Sequence, residues 1–129
     1  MKKADPISTE IIRNAFISIA QDMNAVLIRS AYTPVIYEGK DCVVALLDEK
    51  GEVLGQSSGL PLFLGNLQVC VQETAKMYGW DYFKKGDIFF VNDSFFTGTH
   101  LNDITIFAPI FWKDRLAGFS ASRAHWLDV

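Results

Sequence analysis

Ile104-Thr105-Ile106-Phe107-Ala108-Pro109-Ile110-Phe111-Trp112, then Lys113-Asp114-Arg115, then Leu116-Ala117-Gly118-Phe119-Ser120-Ala121-Ser122 is the stretch that decides the fold. Two apolar runs rich in β-branched and aromatic residues, separated by a short polar break, read as two strands of one antiparallel hairpin. A return of that length sets the end of the second strand beside the start of the first. Both flanks carry a polar knot: Gly98-Thr99-His100-Leu101-Asn102-Asp103 before the hairpin and Arg123-Ala124-His125-Trp126-Leu127-Asp128 after it. The chain has 2 histidines, one in each knot. His100 and Asp103 are three apart in a Gly/Thr/Asn-rich segment unsuited to a helix, so a turn can aim both side chains at one point. The hairpin return then delivers His125 to the same place. Two neutral imidazoles and a carboxylate form the three-ligand set that holds Zn²⁺, Mn²⁺ or Fe²⁺ while leaving positions open for water or substrate. A single histidine in a polar loop is more often a surface residue; two knots facing each other across a hairpin shift the balance toward a metal site.

Upstream of the hairpin the pattern alternates. Pro6, Ser8, Thr9 and Glu10 signal a helix start, and Ile12, Phe16, Ile19, Met23 and Val26 follow at steps of three and four. Ile11, Ala15, Ile17 and Leu27 widen that stripe, which predicts a long helix buried on more than half its circumference and ended by Pro34. Asp41 to Leu47 is a short apolar run opening on a charge; Asp48-Glu49-Lys50-Gly51 turns it into Val53 and Leu54, a second hairpin. Gln56 to Pro61 reads as loop. Leu64 to Tyr78, apolar at Leu67, Val71 and Ala75, reads as a second helix capped by Gly79. Lys84-Lys85-Gly86-Asp87 is a turn into a buried strand, Ile88 to Val91, that ends on Asn92-Asp93. The order predicts an α+β domain: two helices packed on a mixed or antiparallel sheet.

With 129 residues and 50% hydrophobic composition, the chain forms one domain at most and has the material for a core. A net charge of -3 with acids and bases interspersed excludes a basic stripe for nucleic acid or a cationic membrane face. No span is apolar enough to cross a bilayer. Met1-Lys2-Lys3 resembles the charged start of a secretion signal, but Asp5, Pro6 and Glu10 interrupt what should be its apolar part. Cys42 and Cys70 lie in apolar runs without C-x-x-C spacing, which predicts buried, reduced thiols and a cytoplasmic protein. Val129 follows directly on the second knot, so the chain reads as the N-terminal part of a larger subunit.

Asn92-Asp93-Ser94-Phe95-Phe96-Thr97-Gly98-Thr99-His100-Leu101-Asn102-Asp103, followed by Arg123-Ala124-His125, resembles the signature of the hydantoinase B family. Asp5-Pro6 with Glu10-Ile11-Ile12-Arg13-Asn14-Ala15, and Glu38-Gly39-Lys40-Asp41-Cys42, are similar to it too, so the likeness runs from about residue 5 to the end and makes residues 1–129 an incomplete N-terminal part of a metal-binding catalytic domain. The family includes HyuB-type subunits of ATP-dependent N-methylhydantoinases, the matching half of 5-oxoprolinases, and subunits of acetone and acetophenone carboxylases. The resemblance implies a divalent metal, Zn or Mn, ligated by His100, Asp103 and His125. Asp41 matches the acidic position of the family's early strand, which implies a fourth ligand or a base beside the metal; read from the residues alone, it is also a plain strand-start carboxylate. Asp93 is expected to make an Asx-turn with the Thr97-Gly98-Thr99 backbone and orient the ligands. The chain departs from many relatives at Ser94, where they have Pro, at Thr97-Gly98, where they have Gly-Gly, and at Trp126, where they often have a second His; Trp126 is expected to wall the pocket.

The resemblance also implies a division of labour. A HyuA-type subunit or domain binds ATP and activates a carbonyl, and the present chain, which has no G-x-x-x-x-G-K-S/T loop, supplies the metal. Such a metal polarises a carbonyl or phosphoryl oxygen and lowers the pKa of a bound water from about 15.7 towards 7. The expected reaction is ATP-dependent opening of a small cyclic amide of the hydantoin or oxoproline type. The alternative in the same family is carboxylation of a ketone. Outside it stand a two-histidine, one-carboxylate iron oxygenase, whose first pair is usually H-x-D/E within one strand, and a noncatalytic scaffold braced by its polar knots.

Overall fold

The computed structural model describes residues 5–58, 61–97, 100–127 and 129. Its centre is the hairpin of β4 (Asp103–Trp112) and β5 (Arg115–His125), paired antiparallel from Asp103 opposite His125 to Trp112 opposite Arg115. Lys113 turns the corner with a positive φ of 56°. β1 (Cys42–Asp48) pairs antiparallel with the other edge of β5, Cys42 opposite Ala124 through Asp48 opposite Gly118. β2 (Val53–Gln56) folds back on β1, and β3 (Phe89–Val91) pairs with β4. The sheet order is β2-β1-β5-β4-β3 and every neighbouring pair in it is antiparallel, which settles the sheet type left open by the pattern of runs.

Strand alternation sorts the side chains onto two faces. On one, Val43, Ala45 and Leu47 of β1, Phe107 of β4, and Phe119 and Ala121 of β5 pack against Phe63, Leu67, Cys70, Val71 and Ala75 of α3 (Pro61–Tyr78) and against Phe83. The aromatic rings in this core meet at edge-on angles, Phe83 with Phe119 at 4.9 Å and Phe107 with Phe119 at 6.2 Å, while Phe89 stacks on Phe107 at 4.8 Å. Helix α3 ends where expected: Gly79 takes φ 86° and its N–H bonds the Ala75 carbonyl at 2.8 Å.

On the opposite face β1 and β2 are covered by α1 (Pro6–Ser30), which starts from an Asp5 cap accepting the Ser8 N–H at 3.0 Å, while Ile106 and Ile110 of β4 stay exposed. The helix lies on β1 and β2 along Phe16, Ala20 and Asn24, then Leu27, Ile28 and Ala31 against Ile36, Cys42 and Ala124. Close approach requires Gly55, where a Cβ would stand 2.7 Å from the Phe16 carbonyl carbon.

Here three expectations are corrected. The helix is not buried on more than half its circumference: Ala20 is its one fully buried residue, and Ile7, Ile11, Ile12, Ile19 and Val26 are exposed. One narrow ridge meets the sheet, and among the described residues nothing covers the rest. The strand before Asn92 is likewise not buried; as an edge strand it leaves Phe90 exposed and Phe89 and Val91 half-buried. Pro34 does not stop α1, which ends at Ser30; it starts a single helical turn, α2 (Pro34–Tyr37), and holds Thr33 extended at φ -97° and ψ 133°. A further short turn, α4 (Ser94–Thr97), and a 3₁₀ turn at Trp80–Tyr82 were not legible as helices. No helix among the described residues is long and apolar enough to cross a membrane.

Candidate metal centre

The sheet register brings the site together. Asp103 opens β4 and His125 closes β5 directly opposite it. On the other side of His125, one step beyond the pairing of Cys42 with Ala124, comes Asp41, whose carbonyl accepts the His125 N–H at 3.1 Å. Asp41, His125 and Asp103 therefore form a row across three strands, at the end of the sheet and on the face that α3 covers. His100 joins from a turn closed by the Asp103 N–H on the His100 carbonyl at 3.0 Å.

The donors are close. His125 Nδ1 lies 2.8 Å from Asp103 Oδ1 and His100 Nδ1 lies 3.7 Å from Asp103 Oδ2. The imidazoles stand edge to face with centroids 5.7 Å apart, and one donor atom from each of the three residues falls within 4.8 Å of the others. Two ligands of one ion with bonds of about 2.0–2.2 Å at tetrahedral or right angles are about 3–3.6 Å apart, so small shifts of these side chains would seat a cation. Burial grades across the group: the Asp103 side chain is 1% exposed, His125 24% and His100 73%, so the site is anchored in the protein on one side and open to solvent on the other.

Asp41 is near this triad but is not one of its close members. Its Oδ1 is buried without a hydrogen-bond partner among the described residues, an expensive state for a carboxylate that a cation would relieve. Burial pushes its pKa up from the ordinary carboxylate value; protonated His125 would pull it down, Asp103 pushes it further up and His100 opposes.

Backbone clamps hold the two knots in register. Asn102 donates through Nδ2 to the carbonyls of Trp126 at 2.8 Å and Val129 at 3.1 Å, and Trp126 N–H returns a bond to the Asn102 carbonyl at 2.9 Å. Asn92 donates to the Leu101 carbonyl at 3.3 Å, bracing the His100 turn. Neither asparagine stood out in the sequence, since an amide reaching a backbone carbonyl 9 or 24 residues away leaves no local pattern. Asp93 does form an Asx-turn: Oδ1 accepts from Phe95 N–H at 2.9 Å and Phe96 N–H at 3.3 Å, starting α4. Its expected bonds to the Gly98-Thr99 backbone fall outside the described residues. Trp126 lines a largely apolar pocket of about 480 Å³ together with Leu27, Ala31, Thr33, Ile36 and Leu127.

The two cysteines take no part. Both are free and buried, and burial pushes the Cys70 thiol up to about 12, which leaves it protonated and inert.

The sequence profile described as hydantoinase B/oxoprolinase matches residues 5–129. The chain belongs to that family. Among its relatives, the B-type subunit of a putative D-/L-hydantoinase from a Pseudomonas species is 32% identical over the whole of this chain, which spans 22% of that protein. An ATP-dependent caprolactamase from Pseudomonas jessenii superposes with a TM-score of 0.78 at 25% identity, covering 97% of this chain and 21% of that one. A nucleotide-free acetone carboxylase superposes with a TM-score of 0.86 at 22% identity, over 94% of this chain and 16% of that one, a likeness of fold. This member of the hydantoinase B family thus spans less than a quarter of the length of each of these proteins.

Proposed function

We propose that the chain forms the divalent-metal centre of an ATP-dependent cyclic-amide hydrolase and works, in the cytoplasm, with a HyuA-type ATP-binding subunit or domain. The carrying observation is the convergence of His100, Asp103 and His125 donors at the end of the sheet, within 4.8 Å of one another, with Asp41 beside them, its Oδ1 buried without a partner among the described residues. The multi-subunit make-up implied by the name of the hydantoinase relative and the ATP dependence of the caprolactamase support the partnership.

His100, Asp103 and His125 would hold a Zn or Mn ion. When bound, such an ion supplies Lewis acidity toward a carbonyl or phosphoryl oxygen and an acidified water. Asp103, locked in the protein, sets the position of the site, and exposed His100 leaves its outer side accessible to a small cyclic amide. Asp41 is assigned as the fourth ligand or as the base: burial strengthens the hold of its carboxylate on a proton, which suits it to accept one from the attacking water.

The test is turnover of hydantoin or a five-membered lactam by the intact subunit with its HyuA-type partner and ATP. Ring opening coupled to ATP hydrolysis is expected, with one equivalent of metal, and His100→Ala should lose both metal and activity. ATP-independent turnover by the subunit alone, or full metal retention by His100→Ala, would overturn the reading. Bicarbonate-dependent consumption of a ketone would instead assign carboxylase chemistry to the same centre. Turnover that needs iron and O₂ would assign an oxygenase, and a metal-free protein a scaffold.

A further inference from the structure

Two residues before His125 on β5, and on the same face of the sheet, stands Arg123. It lies one row below the candidate ligands, between Val43 and Thr105 on the flanking strands. Its side chain is fully buried, its guanidinium sits over the Phe63 ring at 5.6 Å from the centroid, and Nη2 is 4.0 Å from Asp103 Oδ2. Packing alone does not account for an arginine here. A methionine would fill a similar space against Phe63 and Cys70 without the cost of burying a charge. What the guanidinium adds is a fixed cation under one oxygen of a carboxylate that is itself buried.

That carboxylate is held on three sides. Oδ2 accepts the His100 N–H at 3.0 Å and faces Arg123; Oδ1 faces His125 Nδ1 at 2.8 Å. Of these partners, Arg123 alone is not a candidate ligand. We propose that Arg123 is a positioning residue for the metal centre, its buried guanidinium holding Asp103 Oδ2 so that Oδ1 stays turned toward His125 and the ion. This rests on the metal-binding reading above. At 4.0 Å the contact is an ion pair beyond hydrogen-bond distance, so its hold on Oδ2 is electrostatic, and the planar guanidinium seated over Phe63 fixes that charge in a way that the compact, mobile charge of lysine does not reproduce.

The experiment is a Co²⁺ titration of the intact protein, followed by visible absorption, for wild type, Arg123→Met, Arg123→Lys and the core variant Phe107→Leu. Arg123→Met, folded by circular dichroism, should bind about 10–100-fold more weakly and with an altered ligand-field spectrum. Arg123→Lys should recover part of the affinity while keeping a shifted spectrum. Phe107→Leu, which weakens the core away from the site, should match wild type in both, so that loss of stability by itself is excluded as the cause. Wild-type affinity and spectrum in Arg123→Met overturn the positioning role alone, while a wild-type protein that takes up no cobalt overturns the metal reading and this inference with it. If Arg123→Met does not fold, Arg123→Lys decides: an unchanged spectrum and affinity there overturn the proposal.

Discussion

Asp41 carries a charge that this fold accommodates poorly. Its Oδ1 is buried without a partner among the described residues and its carboxyl is held above the ordinary value of 3.8, first by burial. An acid raised in the folded state costs stability once ionised. The metal-free protein is therefore most favoured below pH 3.8 as far as this group is concerned, and loses that advantage as pH rises through the higher folded-state value. Asp41→Asn should accordingly melt above wild type at neutral pH without metal, the gap closing toward pH 3.8, and should melt below wild type when both are saturated with Zn²⁺ or Mn²⁺. Differential scanning fluorimetry across pH checks this; equal melting at pH 7 without metal would show that the carboxylate is not strained. At this scale the candidate ligands were visible in the sequence, because chemistry-bearing residues are rare enough to stand out: the chain has 2 histidines and both converge. Arg123, Asn92 and Asn102 were not singled out, since what distinguishes them is the distant group each one touches.

Helix α1 shows what an apolar stripe does and does not say. The three-and-four spacing identified the helix, and the Asp5 cap with Pro6 at the first turn explains its start. The same stripe suggested deep burial, yet contact is confined to one ridge, through Phe16, Ala20 and Asn24 and on to Leu27 and Ile28. Periodicity ranks the faces of a helix by polarity but carries no information about whether a neighbour covers them. Gly55 is the point at which α1 and β2 come closest, and a Cβ there would meet backbone atoms of Phe16 that cannot rotate away. Gly55→Ala should destabilise the protein by about 1–3 kcal/mol through this overpacking. A lower urea midpoint with an unchanged m-value would report it; an unchanged midpoint would mean that the helix rides more loosely on the sheet than the structure shows.

For the molecule as a whole, the candidate ligands come from the turn before β4, the first residue of β4 and the end of β5, with Asp41 just ahead of β1, and such a set would exist only in the folded state, so cation binding would be linked to folding. At a free Zn²⁺ or Mn²⁺ concentration about 100-fold above Kd, the wild-type protein should gain about 2.7 kcal/mol in stability, and His100→Ala should gain none. Denaturant titration with and without chelator measures both; equal gains in the two proteins would move the binding site elsewhere. The sequence by itself determined the elements that depend on neighbours along the chain: α1, α3 with its Gly79 stop, the two hairpins, and the polar knots at the ends of the longer one. Those features are local, set by side-chain period, caps and turns. Only the tertiary structure decided that β1 pairs with β5, which lays Asp41 beside His125 and slides Arg123 beneath Asp103. It alone decided, too, which apolar surfaces stay uncovered. Strand order and helix docking are chosen by contacts between segments tens of residues apart, where the competing free energies are those of burial and packing, and no run of residues records their outcome.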